Sequence, residues 1–149
     1  MAAEQWAFVD GIEIRPICPE ALKQFRSDWK GHSERIPNWD WADPDLRGGK
    51  TFNVGIWHKG MLCGLASGKV TDSKAVRIDW IEGHPENHPL KGDIIPIVLT
   101  CADAYRIEIG SKELRLYRVI PPLIPLYEEF GFELATEDSK VHVMRRVTE

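Results

Sequence analysis

The stretch "HPENHPLKGDIIP", residues 84–96, lies between a pattern typical of a strand and a pattern typical of a helix. Before it, "AVRIDWIE" (75–82) alternates apolar and polar side chains, as a half-buried strand does. After it, "DIIPIVLTCADAYRIEIG" (93–110) spaces its apolar residues as a helix does, and "KELRLYRVI" (112–120) follows as a strand. Because a strand–helix–strand step requires a right-handed crossover, the two strands should pair in parallel.

The local pattern also predicts faces and ends for these elements. Asp93 is a suitable N-cap for the helix, and Gly110 is a suitable stop. Strict alternation along the first strand separates its side chains into two faces: Val76, Ile78 and Trp80 on one, and Arg77, Asp79 and Ile81 on the other.

Earlier segments add a strand, a helix and a hairpin. Apolar alternation predicts a strand over 12–17, and Pro19 opens a helix that Gly31 ends. The buried stripe of that helix should contain Leu22, Phe25 and Trp29. Residues 32–50 lack periodicity, which predicts a short helix or turn plus a loop of a length typical of lids and binding loops. Two strand patterns over 51–70 meet at a Lys59-Gly60 turn.

After residue 120, prolines open a second short helix that Gly131 ends, and two strand patterns close the chain at 132–135 and 140–147. The whole order predicts an α/β (α+β) fold in a single domain, residues 1–149. Its central sheet should be mixed and mostly antiparallel, with one parallel βαβ step and flanking helices.

Composition excludes several classes of protein. The chain has 149 residues, a net charge of −4 and no apolar run of 18 residues, so we expect neither nucleic-acid binding nor a membrane span. The start of the chain does not resemble a secretion signal, and we expect a cytoplasmic protein. Three scattered cysteines indicate free thiols, and His84 and His88, separated by Pro85, do not indicate a metal site.

Two motifs carry a resemblance to a known family. "LIPLYEEFGFEL" (123–134) has Leu126-Tyr127 followed by Gly131-Phe132, and "HPENHPLKG" (84–92) leads to the glycine Gly92 at a helix start. With the opening "IEIRPICPEAL" (12–22), they resemble the GNAT superfamily of acyl-CoA N-acyltransferases. The resemblance covers essentially the whole chain and implies a GNAT-like domain that uses acetyl-CoA as co-substrate, without a metal.

The resemblance implies a cofactor site around the loop and the strand before it. The residues placed there are Ile81, Gly83, His88, Lys91, Gly92, Asp93, Ile94 and Ile95. Amides at a helix N-terminus bind phosphate well, and glycine allows a close approach. Here Ile94 stands where the superfamily has a second glycine or an alanine, and Asp93 adds a like charge, which Lys91, or a protonated His88, would offset. Alternatively, Asp93 points away and caps the helix.

The implied chemistry assigns three side chains. Tyr127 would serve the departing thiolate, or else is simply a half-buried tyrosine with a solvated hydroxyl. Asp79, or Glu82, would accept the proton of the amine, unless each is a surface carboxylate paired with Arg77 or Lys74. A backbone N–H of residues 81–83 would bind the thioester oxygen.

The acceptor side should be built by the first helix and the irregular segment. Trp29, Trp39 and Trp41 would form an aromatic pocket for a cationic amine, unless they belong to the core. The leading hypothesis is an N-acetyltransferase acting on a primary amine of a small molecule or peptide, and the alternative is a non-catalytic GNAT-like binding module. A homodimer through the last strand, "VHVMRRV" (141–147), would fit the family.

Overall fold

The computed structural model describes residues 11–33, 35, 39–46, 51–135 and 142–148. Seven strands are present in these ranges: β1 Ile12–Arg15, β2 Thr51–His58, β3 Met61–Val70, β4 Val76–Gly83, β5 Glu113–Leu116, β6 Glu133–Leu134 and β7 Met144–Val147. The helices are α1 Pro19–Gln24, which continues as a π-helical turn Phe25–Trp29, α2 Ile94–Ile109 and α3 Ile124–Glu129. Short 3₁₀ turns cover Pro44–Leu46 and Pro121–Leu123.

The strands form one mixed sheet in the order β1-β2-β3-β4-β5-β7-β6. Every neighbouring pair is antiparallel except β4 and β5, which the crossover helix α2 joins in parallel. The predicted order of elements and the parallel step are therefore confirmed. None of the described helices is both long and apolar enough to cross a membrane.

Each face of the sheet carries its own apolar cluster. Helix α2 packs on one face through a continuous buried stripe that includes Ile94, Ile97 and Val98. On the opposite face, α1 packs with its predicted stripe, and the tryptophans of the irregular segment extend this second cluster. The sheet thus separates the chain into an α2 face and an α1 face, and these two names are used below.

A β-bulge in β4 overturns the predicted alternation of that strand. Ser67 pairs with Trp80 and Gly68 pairs with Ile78, so Asp79 is an extra residue without a partner in β3. A bulge reverses the faces of all residues beyond it. Trp80 therefore joins the cluster on the α1 face and Ile81 packs on the α2 face, so the prediction that Trp80 shares a face with Val76 and Ile78 is wrong.

Strands β4 and β5 pair only between Val76–Ile78 and Leu114–Leu116, and they separate beyond these residues. Their pairing ends where Ile78 meets Leu116, and the last bond runs from the Tyr117 amide to the Ile78 carbonyl, at 2.9 Å. The predicted strand 112–120 is too long, because Arg118 adopts a left-handed φ of 56° that ends extended pairing. From Asp79 onward, the edge of β4 that faces β5 has no strand partner among the described residues.

Candidate active site

The separation of β4 from β5 opens a narrow space of about 40 Å³, which we call the β4–β5 cleft. Its wall on the β4 side includes Asp79 and Ile81, and its opposite wall includes Tyr117, Leu123 and Tyr127. The unpaired main chain of β4 borders the same cleft. A cleft with free backbone donors on one side and a phenol on the other can hold a carbonyl group whose oxygen becomes anionic.

Tyr127 reaches this cleft from the second turn of α3. Its side chain is 5% exposed, and its ring packs edge-on against Phe132 at 6.1 Å between centroids. Burial raises the pKa of the Tyr127 phenol to about 12. No other described residue forms a hydrogen bond with its hydroxyl. The structure thus presents a protonated, unpartnered donor at the cleft.

The loop before α2 offers backbone amides to a ligand. Lys91 and Asp93 use their amides inside the turn, bonding to the carbonyls of His88 and Leu90 at 3.1 and 2.9 Å. The amides of Gly92, Ile94 and Ile95 have no hydrogen-bond partner among the described residues. Gly92 has φ +90°, and nothing lies within 4 Å of the position that a β-carbon would take. This helix start is therefore accessible to an anion.

Ile94 does not obstruct that helix start. Its side chain is 7% exposed and points into the sheet, where it occupies the space left by the missing side chain of Gly64. A β-carbon on Gly64 would lie 2.8 Å from the Ile94 Cδ1 atom. The interpretation that Ile94 places a side chain where the second glycine would stand is therefore corrected: the main chain of Ile94 faces the loop and its side chain faces the core.

The two predicted charge partners of Asp93 differ in placement. Asp93 occupies the N-cap position, as predicted, but its exposed carboxylate makes no capping hydrogen bond. Lys91 is exposed beside it. His88 is 8% exposed, its Nδ1 accepts the Leu90 amide at 3.2 Å, and burial lowers the pKa of its imidazole. His88 is consequently neutral near pH 7 and does not offset the Asp93 charge.

Glu82 fixes the irregular segment to β4. Its carboxylate, on a residue only 6% exposed, accepts bonds from Arg35 Nε at 2.6 Å and from a terminal Arg35 nitrogen at 3.0 Å. Trp41 Nε1 adds a third bond at 2.7 Å, and Arg35 also donates to the Trp39 carbonyl. Sequence reasoning missed Arg35, whose only signal was a positive charge in an aperiodic, tryptophan-rich segment.

Asp79, the bulge residue, is paired with Arg77. Arg77 Nε donates to Asp79 Oδ1 at 2.6 Å and a terminal nitrogen donates to Oδ2 at 3.2 Å. This hydrogen bonding raises the pKa of Arg77 above its ordinary value. Asp79 nevertheless stays half-buried at the β4–β5 cleft, where its remaining lone pairs can meet a substrate. The ion pair that we considered as the structural alternative for Asp79 is therefore present.

The three tryptophans assigned to an acceptor pocket do not share one environment. Trp29 and Trp41 are fully buried in the cluster on the α1 face. Trp39 is half-buried, stacks on Trp80 with ring centroids 5.3 Å apart, and lines the β4–β5 cleft. Sequence alternation had placed Trp80 on the other face, so this stacked pair was not anticipated.

Within the ranges that the structure describes, no three His, Cys, Asp or Glu side chains are grouped so that they could bind a metal ion. The cysteines described are free, and Cys63 and Cys101 are buried, which raises the pKa of each thiol to about 11.

Solved structures similar to this chain include three transferases. The PaiA N-acetyltransferase of Thermoplasma acidophilum, solved with coenzyme A, has a TM-score of 0.65 and 18% identity over 91% of this chain and 98% of its own. The ribosomal-protein-S18-alanine N-acetyltransferase of Escherichia coli has a TM-score of 0.68 and 17% identity over 93% of this chain and 95% of its own. An acyl-CoA N-acyltransferase of Pseudomonas aeruginosa has a TM-score of 0.65 and 19% identity over 91% of this chain and 98% of its own.

No protein-family model and no curated protein matches the sequence. The structural matches nevertheless span nearly the full length of both partners. The chain therefore has the fold of the GNAT superfamily of acyl-CoA N-acyltransferases, as its motifs predicted.

Proposed function

We propose that this protein is an acyl-CoA-dependent N-acyltransferase that transfers an acetyl group to a primary amine. One observation carries the proposal: the β4–β5 cleft combines an unpaired strand edge with the protonated, unpartnered phenol of Tyr127. The structures similar to this chain include N-acetyltransferases, one of them in complex with coenzyme A, and this supports the same use of the fold here.

The start of α2 would hold the diphosphate of the co-substrate. The amides of Gly92, Ile94 and Ile95 are the available donors, and the helix dipole favours the negative charge. Pro96, the next residue, has no N–H to add, so the set of donors is small. Lys91 would contribute positive charge, while Gly83, Ile81 and His88 would support the strand end beneath the loop.

In the transfer step, a C–N bond forms and the C–S bond of the thioester breaks. Asp79 and Glu82 remain the candidate acceptors for the amine proton, and we favour Asp79, because Arg35 and Trp41 already occupy the Glu82 carboxylate. An amide on the free edge of β4, among residues 81–83, would bind the carbonyl oxygen as it becomes anionic.

Tyr127 would assist the departing thiolate by hydrogen bonding to it. A thiol ionises near pH 8.5, whereas burial raises the pKa of the Tyr127 phenol to about 12. Complete proton transfer to the sulfur would therefore cost about 5 kcal/mol. A hydrogen bond that strengthens as negative charge develops avoids this cost, and the thiolate then takes its proton from solvent.

Two measurements test the proposal. The first is the melting temperature with acetyl-CoA: a ligand at 100 times its dissociation constant adds about 2.7 kcal/mol of stability. The second is acetyl-CoA-dependent thiol release with a panel of primary amines. An absence of any stabilisation by millimolar coenzyme A would refute the proposal.

A non-catalytic binding module is the second candidate function, and the ion pair between Arg77 and Asp79 favours it. Among the described residues, the only carboxylate lining the β4–β5 cleft is Asp79, and Arg77 holds both of its oxygens. Stabilisation by coenzyme A without thiol release for any amine would support this function over catalysis.

A further inference from the structure

A second cleft opens on the α1 face of the sheet, next to the β4–β5 cleft. Its volume is about 340 Å³, within the range of small-molecule sites. The charged and aromatic side chains that line it come from β3, β4, the segment after β5 and the irregular segment that contains Asp43. The two clefts share Asp79, Tyr117 and Arg118. We call the second one the Lys69 cleft, after the cation at its β3 wall.

The charges of the Lys69 cleft are not balanced. Lys69, Arg77 and Arg118 line it together with only two carboxylates, Asp43 and Asp79. Asp79 is already neutralised by Arg77. Lys69 and Arg118 are exposed, and neither has a carboxylate within ion-pair distance among the described residues. The cleft therefore retains positive charge available to an anion.

Arg118 is held where that charge faces the cleft. Its guanidinium lies 5.3 Å from the centre of the Tyr117 ring, and the Arg77 guanidinium lies 4.9 Å from the same ring. Arg118 also adopts a left-handed φ of 56°, an uncommon conformation for a residue other than glycine. Stacking restricts the side chain, so less conformational entropy is lost when it binds an anion.

The remaining walls are apolar and aromatic. Leu46, Trp80 and Tyr117 contribute them, and Trp39 stacks on the far side of Trp80. An acceptor in this cleft would thus meet an apolar surface, the Asp43 carboxylate and two cations, Lys69 and Arg118, that have no carboxylate partner among the described residues. At the junction with the β4–β5 cleft it would meet the Asp79 carboxylate.

We propose that the acceptor is a small primary amine that carries an anion, a carboxylate or a phosphate, on the same skeleton. Its amine lies at Asp79, where the two clefts meet, its anion binds Lys69 and Arg118, and its apolar part contacts Trp80 and Tyr117. This inference rests on the proposed function, and it disfavours polyamines, because the cleft repels additional positive charge.

Calorimetric titration of the full chain with matched amines tests this assignment, with and without coenzyme A. The pairs are L-leucine with 3-methylbutylamine, and O-phosphoethanolamine with ethanolamine, so the two arms separate carboxylate from phosphate. In at least one pair, the anionic member should bind about tenfold more tightly at low salt, and the preference should shrink as salt is added.

Variants locate the effect. Lys69→Gln and Arg118→Gln should each reduce the preference for the member that carries the anion, because its affinity falls while the affinity of the partner amine, which carries only a positive charge, does not. Lys112→Gln, an exposed lysine just before β5, is the matched control and should leave the preference intact.

Equal affinity within both pairs, tighter binding of the members that lack the anion, or no binding of any of the four would overturn the inference. A preference that persists in both variants would also overturn it. So would tighter binding, relative to all of these amines, of the N-terminal amine of a peptide that has no charged side chains. None of these outcomes depends on turnover. The proposed function is tested separately, by the stabilisation that coenzyme A causes and by the release of thiol.

Discussion

The buried carboxylate of Glu82 accepts two hydrogen bonds from Arg35, which lies 47 residues earlier in the chain. Both side chains are at most 6% exposed, so neither charge can be solvated if its partner is removed. We predict that Glu82→Gln lowers the free energy of unfolding by about 3–5 kcal/mol, because it leaves the Arg35 charge buried and unpaired. Urea denaturation followed by tryptophan fluorescence measures this loss.

A double variant separates the loss of the pair from the loss of one partner. Replacing both groups, with Glu82→Leu and Arg35→Met, should recover part of the stability, since an apolar pair of similar volume is often as stable as a buried ion pair. Recovery stays incomplete because the buried Trp41 indole N–H loses its acceptor. The double variant should also retain turnover if Asp79 is the proton acceptor. Complete inactivity in a folded double variant would reassign that role to Glu82.

Gly68 marks the bulge on the side of β3. A β-carbon there would overlap the main-chain carbonyl oxygen of Arg77, which cannot move unless β3 and β4 separate. We predict that Gly68→Ala costs about 3 kcal/mol, at the upper end of the usual penalty for overpacking. Thermal unfolding measures it.

Gly83→Ala is the matched control for Gly68, on the adjacent strand. The closest atom to its added β-carbon would be Ile94 Cγ1 at 3.6 Å, an ordinary van der Waals distance. It should therefore destabilise the protein much less. Similar melting temperatures for the two variants would contradict the geometry of the bulge.

Tyr127→Phe removes only the unpartnered hydroxyl at the β4–β5 cleft. Because that hydroxyl is proposed to bind the thiolate in the transition state, kcat should fall about 100-fold, while the dissociation constant for coenzyme A stays nearly constant. Steady-state kinetics and calorimetry check the two quantities. Since burial raises the pKa of Tyr127 to about 12, its ionisation should not reduce the wild-type rate below about pH 10. Unchanged kcat in the variant would exclude Tyr127 from the reaction.

The exposed carboxylate of Asp93 stands beside the amides proposed to hold the diphosphate. Two like charges 4 Å apart in water repel by about 1 kcal/mol, so Asp93→Asn should tighten coenzyme A binding about fivefold at low salt. The gain should diminish at high salt. Asp72→Asn, in the exposed turn between β3 and β4, is the control. Weaker binding by the Asp93 variant would mean that this carboxylate supports the loop.

The parts of the fold that local chemistry determines were predictable. Period-two and helical patterns, together with glycine and proline at the ends, predicted the element order and the parallel step, and Gly110 ends α2 with φ 77° as expected. The bulge at Asp79 was not predictable, because one extra residue in an otherwise regular alternation leaves no local trace. It decides which face Trp80 and Glu82 occupy, and hence the geometry of the site.

Long-range pairing was also beyond local reasoning. The partner of Glu82 lies in an aperiodic segment, and only the folded chain brings Arg35 to it. Ile94 was misinterpreted for a related reason: its effect on the loop depends on Gly64, a residue on β3 that gives its side chain room in the core. The candidate roles of Tyr127 and Asp93 came from the motif, and their testing awaits the variants above.

Two buried histidines should make stability depend on pH. His84 and His88 are each 8% exposed, and their Nδ1 atoms accept the amides of Glu86 and Leu90 at 3.0 and 3.2 Å. Burial is the main cause that lowers both pKa values below 6.5. Glu86, Asp28 and His32 also act on His84, the two carboxylates raising its pKa and His32 lowering it, while His84 and Lys91 lower the pKa of His88.

The sign follows from those depressed values. The unfolded chain takes up protons at a higher pH than the folded chain, so this contribution to stability is present above about pH 6.5 and is lost as the pH falls through the folded pKa values. Protonation also converts each Nδ1 from acceptor to donor and breaks its bond to the loop. We expect the urea concentration at the unfolding midpoint to decrease as the pH is lowered from 7.5 to 5.5. The decrease should be smaller in His84→Asn and His88→Asn, although each variant starts from a lower midpoint. An equal slope in the wild type and both variants would show that the buried pair does not titrate with unfolding.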